Sequence, residues 1–363
     1  MTEPNPTTSQ RETSNNDVDA PPTYTVVLIP GDGIGPEVTN AGRKVLEAAG
    51  APVQFIERNA GLAALDRGED TVLPDDTIAA IREHKVAIKG PCTTPIGKGF
   101  SSVNVALRKK LGLFASVRPV RSMPGIVTRY ENVDIIIVRE NTEGLYSGME
   151  NTITADVVIS LKVASREASE HIARFAFRLA AHRRRDMISV FHKANIMKLT
   201  DGMFIGEARK VHEEDYPNID YDEVIIDAGS MRLVQDPTQF DIILCENLYG
   251  DILSDLCAGF VGGLGVTPGA NIGETGAVFE AVHGSAPDIA GQDVANPLAL
   301  IMSSVMMLQH IGDTHHDKRA NRSAEKIERA YRSALEDGQK TRDLRGDLGT
   351  RAFTKAIIER LNG

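Results

Sequence analysis

Apolar residues in this chain come in short runs set between turns and stretches of helical period. Residues 24–29 (Tyr-Thr-Val-Val-Leu-Ile), 53–57, 86–89, 113–117, 133–138, 188–191, 223–226, 242–245 and 277–281 are apolar or β-branched runs that predict strands, most of them buried. Residues 153–163 alternate apolar with polar and predict a protruding pair of strands. Helices are predicted over 38–50, from Ser102 onward, over 167–183, from about Asp251, and over 298–311. In the 167–183 helix Ile172, Phe175, Ala176 and Leu179 form one face and arginines the other. Residues 324–361 read as charged helix broken by a turn at 346–349, and 259–276 as a glycine-rich connection. Strands alternating with helices imply an α/β protein, and no internal repeat is present.

Bulk properties narrow the class. A chain of 363 residues predicts about two domains. Hydrophobic content of 42% and charged content of 25% are those of a globular protein, and no run is long enough to span a membrane. A net charge of −10 argues against nonspecific nucleic-acid binding. Cys92, Cys245 and Cys257 have neither zinc-finger nor CxxC spacing, which suggests a reducing compartment without disulfides. Residues 1–23 are polar and predict a disordered tail; Glu3, Glu12, Asp17 and Asp19 argue against a transit peptide, so the expected location is cytoplasmic.

Several polar groups stand where chemistry would need them. Asp251 and Asp255, four apart, share one helix face, and like charges so placed suit a hard cation such as Mg2+ or Mn2+. The alternative is a pair of acids complementing the helix dipole; it fits Asp251, whereas Asp255, beside Leu253, Leu256 and Cys257, is expected to lie where a bare carboxylate is costly. Asn247 and Gly250 are expected to turn the chain ahead of that helix. Asn104 and Arg108 point one way on a helix begun by Ser102. Arg118 and Arg139 end apolar strands; arginines so placed suit bidentate grip on carboxylates, with surface salt bridging as the alternative. Lys193 and Asp227 follow strands in the same way, and in α/β sheets the carboxyl edge is where ligands bind. The segment Pro30-Gly-Asp32-Gly-Ile-Gly-Pro-Glu37 is GxGxG followed by proline, not GxGxxG, which excludes a Rossmann fingerprint; Asp32 and Glu37 are expected to cap the helix that follows.

Taken in order, Gly90-Pro-Cys-Thr-Thr94-Pro, Ser102-x-Asn104-Val-x-Leu-Arg108, Val117-Arg118-Pro119, Arg139-Glu-Asn-Thr-Glu143, His192-Lys193-Ala-Asn195, Asn247-Leu-Tyr-Gly-Asp251-Ile-Leu-Ser-Asp255 and His283-Gly-Ser-Ala-Pro287-Asp288-Ile289 resemble the isocitrate/isopropylmalate dehydrogenase family of β-decarboxylating dehydrogenases. The likeness runs from about Thr25 to the C-terminus, and its ordered set is far more specific than any one motif. It implies two α/β domains around a large mixed sheet, not a Rossmann fold. The large domain would comprise residues 24–122 and 262–363, with the coenzyme loop. The small one would comprise 123–261, with a dimer arm near 144–165.

The resemblance also implies roles. Thr94, Ser102, Asn104, Arg108, Arg118 and Arg139 match substrate-binding positions, and polar Ser102 and Asn104 favour a third carboxylate over an alkyl group, hence isocitrate. Homoisocitrate and 3-isopropylmalate are the alternative substrates, and a noncatalytic regulatory role is the alternative to catalysis. His283, Gly284, Ala286, Pro287, Asp288, Ile289 and Asn296 match the coenzyme site. NADP-dependent relatives carry lysine and tyrosine where this chain has Asp288 and Ile289, so NAD is implied. Asp227, Asp251 and Asp255 match the ligands of Mg2+ or Mn2+, and Tyr146 and Lys193 the proton-transfer residues. In the family Lys193 and Asp227 serve the neighbouring protomer's site, so a homodimer or higher homo-oligomer with shared sites is implied, acting on a small tricarboxylate and on neither nucleic acid nor membrane.

Overall fold

The structure, a computed structural model, describes residues 23–94 and 102–361; residues 1–22 of the expected tail, and 95–101 of the loop after Lys89, lie outside the described residues. Among the described residues, twelve strands and eleven α-helices follow in the order β1 (Tyr24–Ile29), α1 (Gly35–Ala48), β2 (Val53–Glu57), α2 (Leu62–Asp66), α3 (Asp75–His84), β3 (Val86–Lys89), α4 (Val103–Leu111), β4 (Ala115–Arg121), β5 (Asp134–Glu140), β6 (Glu150–Thr154), β7 (Val157–Ser160), α5 (Arg166–Arg183), β8 (Met187–His192), α6 (Thr200–Asp215), β9 (Asp220–Ile225), α7 (Ile226–Gln235), β10 (Ile242–Cys245), α8 (Asn247–Val261), β11 (Pro268–Ile272), β12 (Ala277–Ala281), α9 (Leu298–His315), α10 (Lys318–Glu336) and α11 (Thr350–Glu359).

Ten strands form one mixed sheet in the order β2-β1-β3-β12-β11-β4-β5-β10-β8-β9. The outer strands pair in parallel, and β12-β11, β11-β4 and β4-β5 pair antiparallel. That is the mixed α/β sheet expected. One consequence differs from expectation: the two parallel halves run in opposite directions, so the sheet has no common carboxyl edge. The polar side chains gather instead on one face of the central antiparallel strands. Register fixes this, because Ser116 lies beside both Arg139 and Asn271, while Glu280 lies beside both Gly269 and Lys89.

The inner parallel strands β1, β3, β10 and β8 are largely buried, as their apolar runs require, whereas the edge strands β2 and β9 are only partly covered. Helix α9 is buried along most of its length, and α5 packs Ile172, Ala176 and Phe177 inward. Strands β6 and β7 pair only with each other, and every residue in them is exposed. The three cysteines are free. Among the described residues no helix is long and apolar enough to cross a membrane.

Candidate active site

Helix α8 builds one wall. It begins at Asn247, four residues before the expected start, so Asn247 and Gly250 lie in its first turn rather than in a connecting bend. Glu246 caps it, accepting from the Tyr249 amide at 2.9 Å. Gly250 lets the helix settle on the sheet: a Cβ there would meet the Arg139 side chain at 2.6 Å. The same packing turns Leu253, Ser254 and Cys257 inward and leaves Asp255 exposed, its side chain 56% accessible. The expected burial of Asp255 is therefore incorrect; Asp251 is the better shielded carboxylate of the two, at 35%.

Both arginines of the central strands reach that wall. Arg139, 1% exposed, donates to Asn247 Oδ1 at 2.7 and 3.1 Å and pairs with Asp251. Arg118 donates to Ser254 Oγ at 2.5 Å and Asp255 Oδ1 at 3.1 Å, with Asp251 3.6 Å away. It stands in the middle of β4 rather than at a strand end, because the strand runs four residues beyond the apolar stretch. Tyr146 donates to Asp251 Oδ2 at 2.5 Å and holds its ring 5.0 Å from the Arg139 guanidinium. Burial alone would raise the Asp251 carboxyl, but Arg139, Tyr146 and Arg118 bring it below the usual carboxylate range. Burial, then the hydrogen bond to Asp251, raises the Tyr146 hydroxyl, so it keeps its proton.

Beneath lies a buried network that sequence reasoning missed. Lys89, 1% exposed, pairs with Glu280 at 2.7 Å. Asn271 donates to Glu280 at 2.7 Å and accepts from Arg108 Nε at 3.1 Å and from Asn141 at 3.0 Å. Burial raises the Glu280 carboxyl, yet Lys89 and Arg108 outweigh it and bring it to about 2. Burial lowers Arg108 to about 10, against the pull of Glu280. The available signal was a lysine and a glutamate inside otherwise apolar strands, where charges are rare unless paired. A cavity of about 130 Å3 opens above this floor, lined by Asn104, Arg108, Arg118 and His283.

The loops that edge the cavity are tied together by backbone contact. Asp32 accepts from the amides of Leu62, Ala63 and Thr93 at 3.0, 2.7 and 2.6 Å; it thus caps α2 and not α1 as expected. Glu37 makes no cap either. Gly33 sits at φ +58°, and a Cβ there would lie 2.0 Å from Ser285 O, so only glycine lets this turn close on the 283–289 loop. Thr93 and Ser285 share a hydroxyl hydrogen bond of 2.6 Å. Thr94 Oγ1 accepts from the Val103 amide at 3.1 Å and so holds the start of α4, where Ser102 is exposed. In the 283–289 loop Ala286 adopts φ +37°, and Pro287–Ile289 form a 3-10 turn with Asp288 and Ile289 exposed. Gly284 is exposed and its carbonyl lies 3.0 Å from His283 Nδ1. His283 Nε2 and Asn104 Oδ1 are buried without a hydrogen-bond partner among the described residues. Asn296 is buried; it donates to Asp343 at 2.9 Å and caps α9 through the Leu298 amide at 3.0 Å.

Lys193 and Asp227 stand elsewhere. Asp227 lies in the first turn of α7, not at a strand end, and accepts from Lys193 Nζ at 2.6 Å. That hydrogen bond holds the Asp227 carboxyl below its usual range. Among the described residues neither forms an ion pair or hydrogen bond with Arg118, Arg139, Asp251 or Asp255. Nor do any three His, Cys, Asp or Glu side chains among them gather closely enough to hold a metal ion. The α8 carboxylates fit part of such a site: both are accessible, and both are paired to guanidiniums that substrate carboxylates would also attract. Orphaned His283 Nε2 and Asn104 Oδ1 are likewise ready for polar groups of a coenzyme or substrate.

The family model for isocitrate/isopropylmalate dehydrogenase matches residues 25–361. The chain is 49% identical to the NAD isocitrate dehydrogenase catalytic subunit 5, mitochondrial, of Arabidopsis thaliana, over 93% of this chain and 88% of that one. It is 46% identical to a mitochondrial NAD isocitrate dehydrogenase regulatory subunit of Dictyostelium discoideum, over 93% and 91%. The crystal structure of isocitrate dehydrogenase from Methylococcus capsulatus is similar with a TM-score of 0.87 at 47% identity, covering 94% of this chain and all of that one.

Proposed function

This chain belongs to the isocitrate/isopropylmalate dehydrogenase family, and on that premise we propose how its residues perform the reaction. It catalyses the metal-dependent oxidative decarboxylation of isocitrate to 2-oxoglutarate and CO2 with reduction of NAD. The observation that carries the assignment of residues is Tyr146 on Asp251, flanked by Arg118 and Arg139, with Arg108 beside them on its charged floor.

Arg108, Arg118 and Arg139 bind the substrate carboxylates, and their rigid forks fix which carbon faces the coenzyme. Asn104 on α4 and Ser102 just ahead of it, with Thr94 holding the start of the helix, take the third carboxylate. Asp251, Asp255 and Asp227 would hold Mg2+ or Mn2+, which when bound supplies charge stabilisation at the substrate hydroxyl, with NAD as hydride acceptor. Lys193 takes the hydroxyl proton. Tyr146, kept protonated by burial and by Asp251, delivers a proton to C3 after CO2 leaves. The loop from His283 through Gly284, Ala286, Pro287, Asp288 and Ile289, with Asn296, receives NAD; an exposed Asp288 accepts ribose hydroxyls and repels a 2′-phosphate.

Because Lys193 and Asp227 do not join the cleft of their own chain, the site is completed by a second copy. The exposed hairpin β6–β7 supports this: it leaves Ile153, Val158 and Ile159 uncovered, and an isolated two-stranded hairpin is marginal in water. We place the domain boundary between β4 and β5, with 24–122 and 262–363 as the large domain and 123–261 as the small one. The acidic residues of the N-terminal tail support a cytoplasmic location, whereas the Arabidopsis and Dictyostelium relatives are named mitochondrial.

A regulatory role is the second reading, since one relative carries that name. Retention of Tyr146, Lys193, Asp227, Asp251 and Asp255 together favours catalysis. The deciding measurement is a matrix of initial rates: isocitrate, homoisocitrate and 3-isopropylmalate, each with NAD and NADP, with Mg2+ or Mn2+. Isocitrate with NAD should dominate. No turnover with any pair would leave the regulatory reading; a homoisocitrate preference would move the substrate by one methylene, a discrimination of only about 1–3 kcal/mol.

A further inference from the structure

Behind the strands that carry the arginines, a groove opens on the face turned away from the cleft. Strand alternation puts Ser116 and Arg118 into the cleft and Val117, Pro119 and Arg121 into this groove. Its walls are α5 on one side and α9 and α10 on the other. The main chamber measures about 320 Å3, and a second of about 160 Å3 adjoins it, the two sharing Val117, Leu179, Arg183 and Met306. The larger chamber reaches the size of small-molecule sites, which begin at about 300 Å3.

The lining is apolar below and cationic at the rim. Arg121, Arg183 and Arg185 face the main chamber against one acid, Glu328, in a chain whose net charge is −10. Two of these arginines are already neutralised: Arg185 by Asp134 and Asp241 at 2.5 and 2.6 Å, and Arg121 by Asp134 at 3.2 Å. Arg183 differs. It donates to Gln309 Oε1 at 3.1 Å and makes no ion pair among the described residues. Tyr331, also lining the chamber and only 3% exposed, has a hydroxyl with no hydrogen bond among those residues. Arg183 is an exposed rim residue, whereas Tyr331 is buried in the wall.

We propose that this groove is a binding site for a small amphipathic monoanion, a carboxylate on a hydrocarbon or aromatic body. The body lies on Val117, Leu179 and Met306, and the carboxylate meets Arg183. Other ligand chemistries fit less well. A di- or tricarboxylate would set charge against the apolar floor, and a neutral hydrocarbon would leave the Arg183 charge without a counter-ion. The site shares β4 with the catalytic cleft but none of the side chains that face substrate.

Decanoate, kept below its micelle concentration, is the probe. Calorimetric titration of the full-length protein should show saturable binding at one site per chain, undiminished by saturating isocitrate with Mg2+. Arg183→Gln, which lies outside the catalytic machinery and should leave turnover unchanged, should weaken decanoate roughly tenfold by removing a charge-assisted pair. Arg183→Lys should recover part of the loss, and Met306→Trp should block the chamber. Absence of saturation, displacement by isocitrate, or equal affinity in Arg183→Gln would each overturn the proposal.

Discussion

Tyr146 donates to Asp251 at 2.5 Å, and its ring is held by Arg139. Phenylalanine keeps that ring and removes only the proton, so Tyr146→Phe separates positioning from proton delivery. The variant should lose decarboxylation by about 10²–10⁴-fold, the usual range for a general acid, and lose much less of its reduction of oxalosuccinate. Equal losses in the two half-reactions would take the proton from Tyr146 and leave it a packing group. Glu280 makes a different prediction, on stability. Its carboxyl falls from 4.5 to about 2, because Lys89 and Arg108 outweigh burial. A carboxyl with a lowered value stabilises the fold fully above about pH 4.5 and ceases to do so as pH falls through about 2. Glu280→Gln should therefore lower the melting temperature at pH 7, where breaking a buried pair costs about 3–5 kcal/mol, and should flatten the acid limb of melting temperature against pH. An unchanged acid limb would mean that other carboxylates control acid unfolding.

Among the elements, β1, β2, β3, β10 and β12 stand where their apolar runs predict, to the residue; β3, β10 and β12 are buried along their whole length, and β2, an edge strand, is recognised by its β-branched and aromatic residues alone. Strand β11 is not legible in the sequence. Its segment Pro-Gly-Ala-Asn-Ile has weak strand propensity and sits in a glycine-rich stretch; it forms because β12 and β4 offer antiparallel partners on both sides. With it goes Asn271, and so the floor of the site. Helix starts are misplaced for similar reasons. Asn247 and Gly250 look like turn residues, but Glu246 caps α8 ahead of them and Gly250 is needed for contact with Arg139. Asp32 looks like a cap for α1, and is instead spent on amides of Leu62, Ala63 and Thr93, the last 61 residues away. The arginines and paired aspartates are legible because charge at a spacing carries information in one dimension. Which loop touches which, through Gly33 and Ser285, does not.

At the scale of the whole molecule the decisive fact is that the proposed catalytic groups fall into two sets that do not meet. Arg118, Arg139, Tyr146, Asp251 and Asp255 share one network, and Lys193 pairs with Asp227 apart from it. Exposed apolar side chains accompany the second set: Ile196 at 68%, Leu199 at 85% and Met231 at 55%. Surface of that kind marks a partner. If two copies exchange Lys193 and Asp227, then Lys193→Met and Asp251→Asn should each be nearly inactive alone, for different reasons. Coexpressed, they should form mixed dimers holding one site with both defects and one with neither. Random pairing makes half the dimers mixed, so activity should return to about a quarter of the wild-type value. Sites confined to single chains admit no such recovery, and neither does pairing with a different protein in place of a second copy. Activity of the mixture at the level of the separate variants would therefore reject the shared homodimeric site, whatever the rate measurements say about substrate and coenzyme.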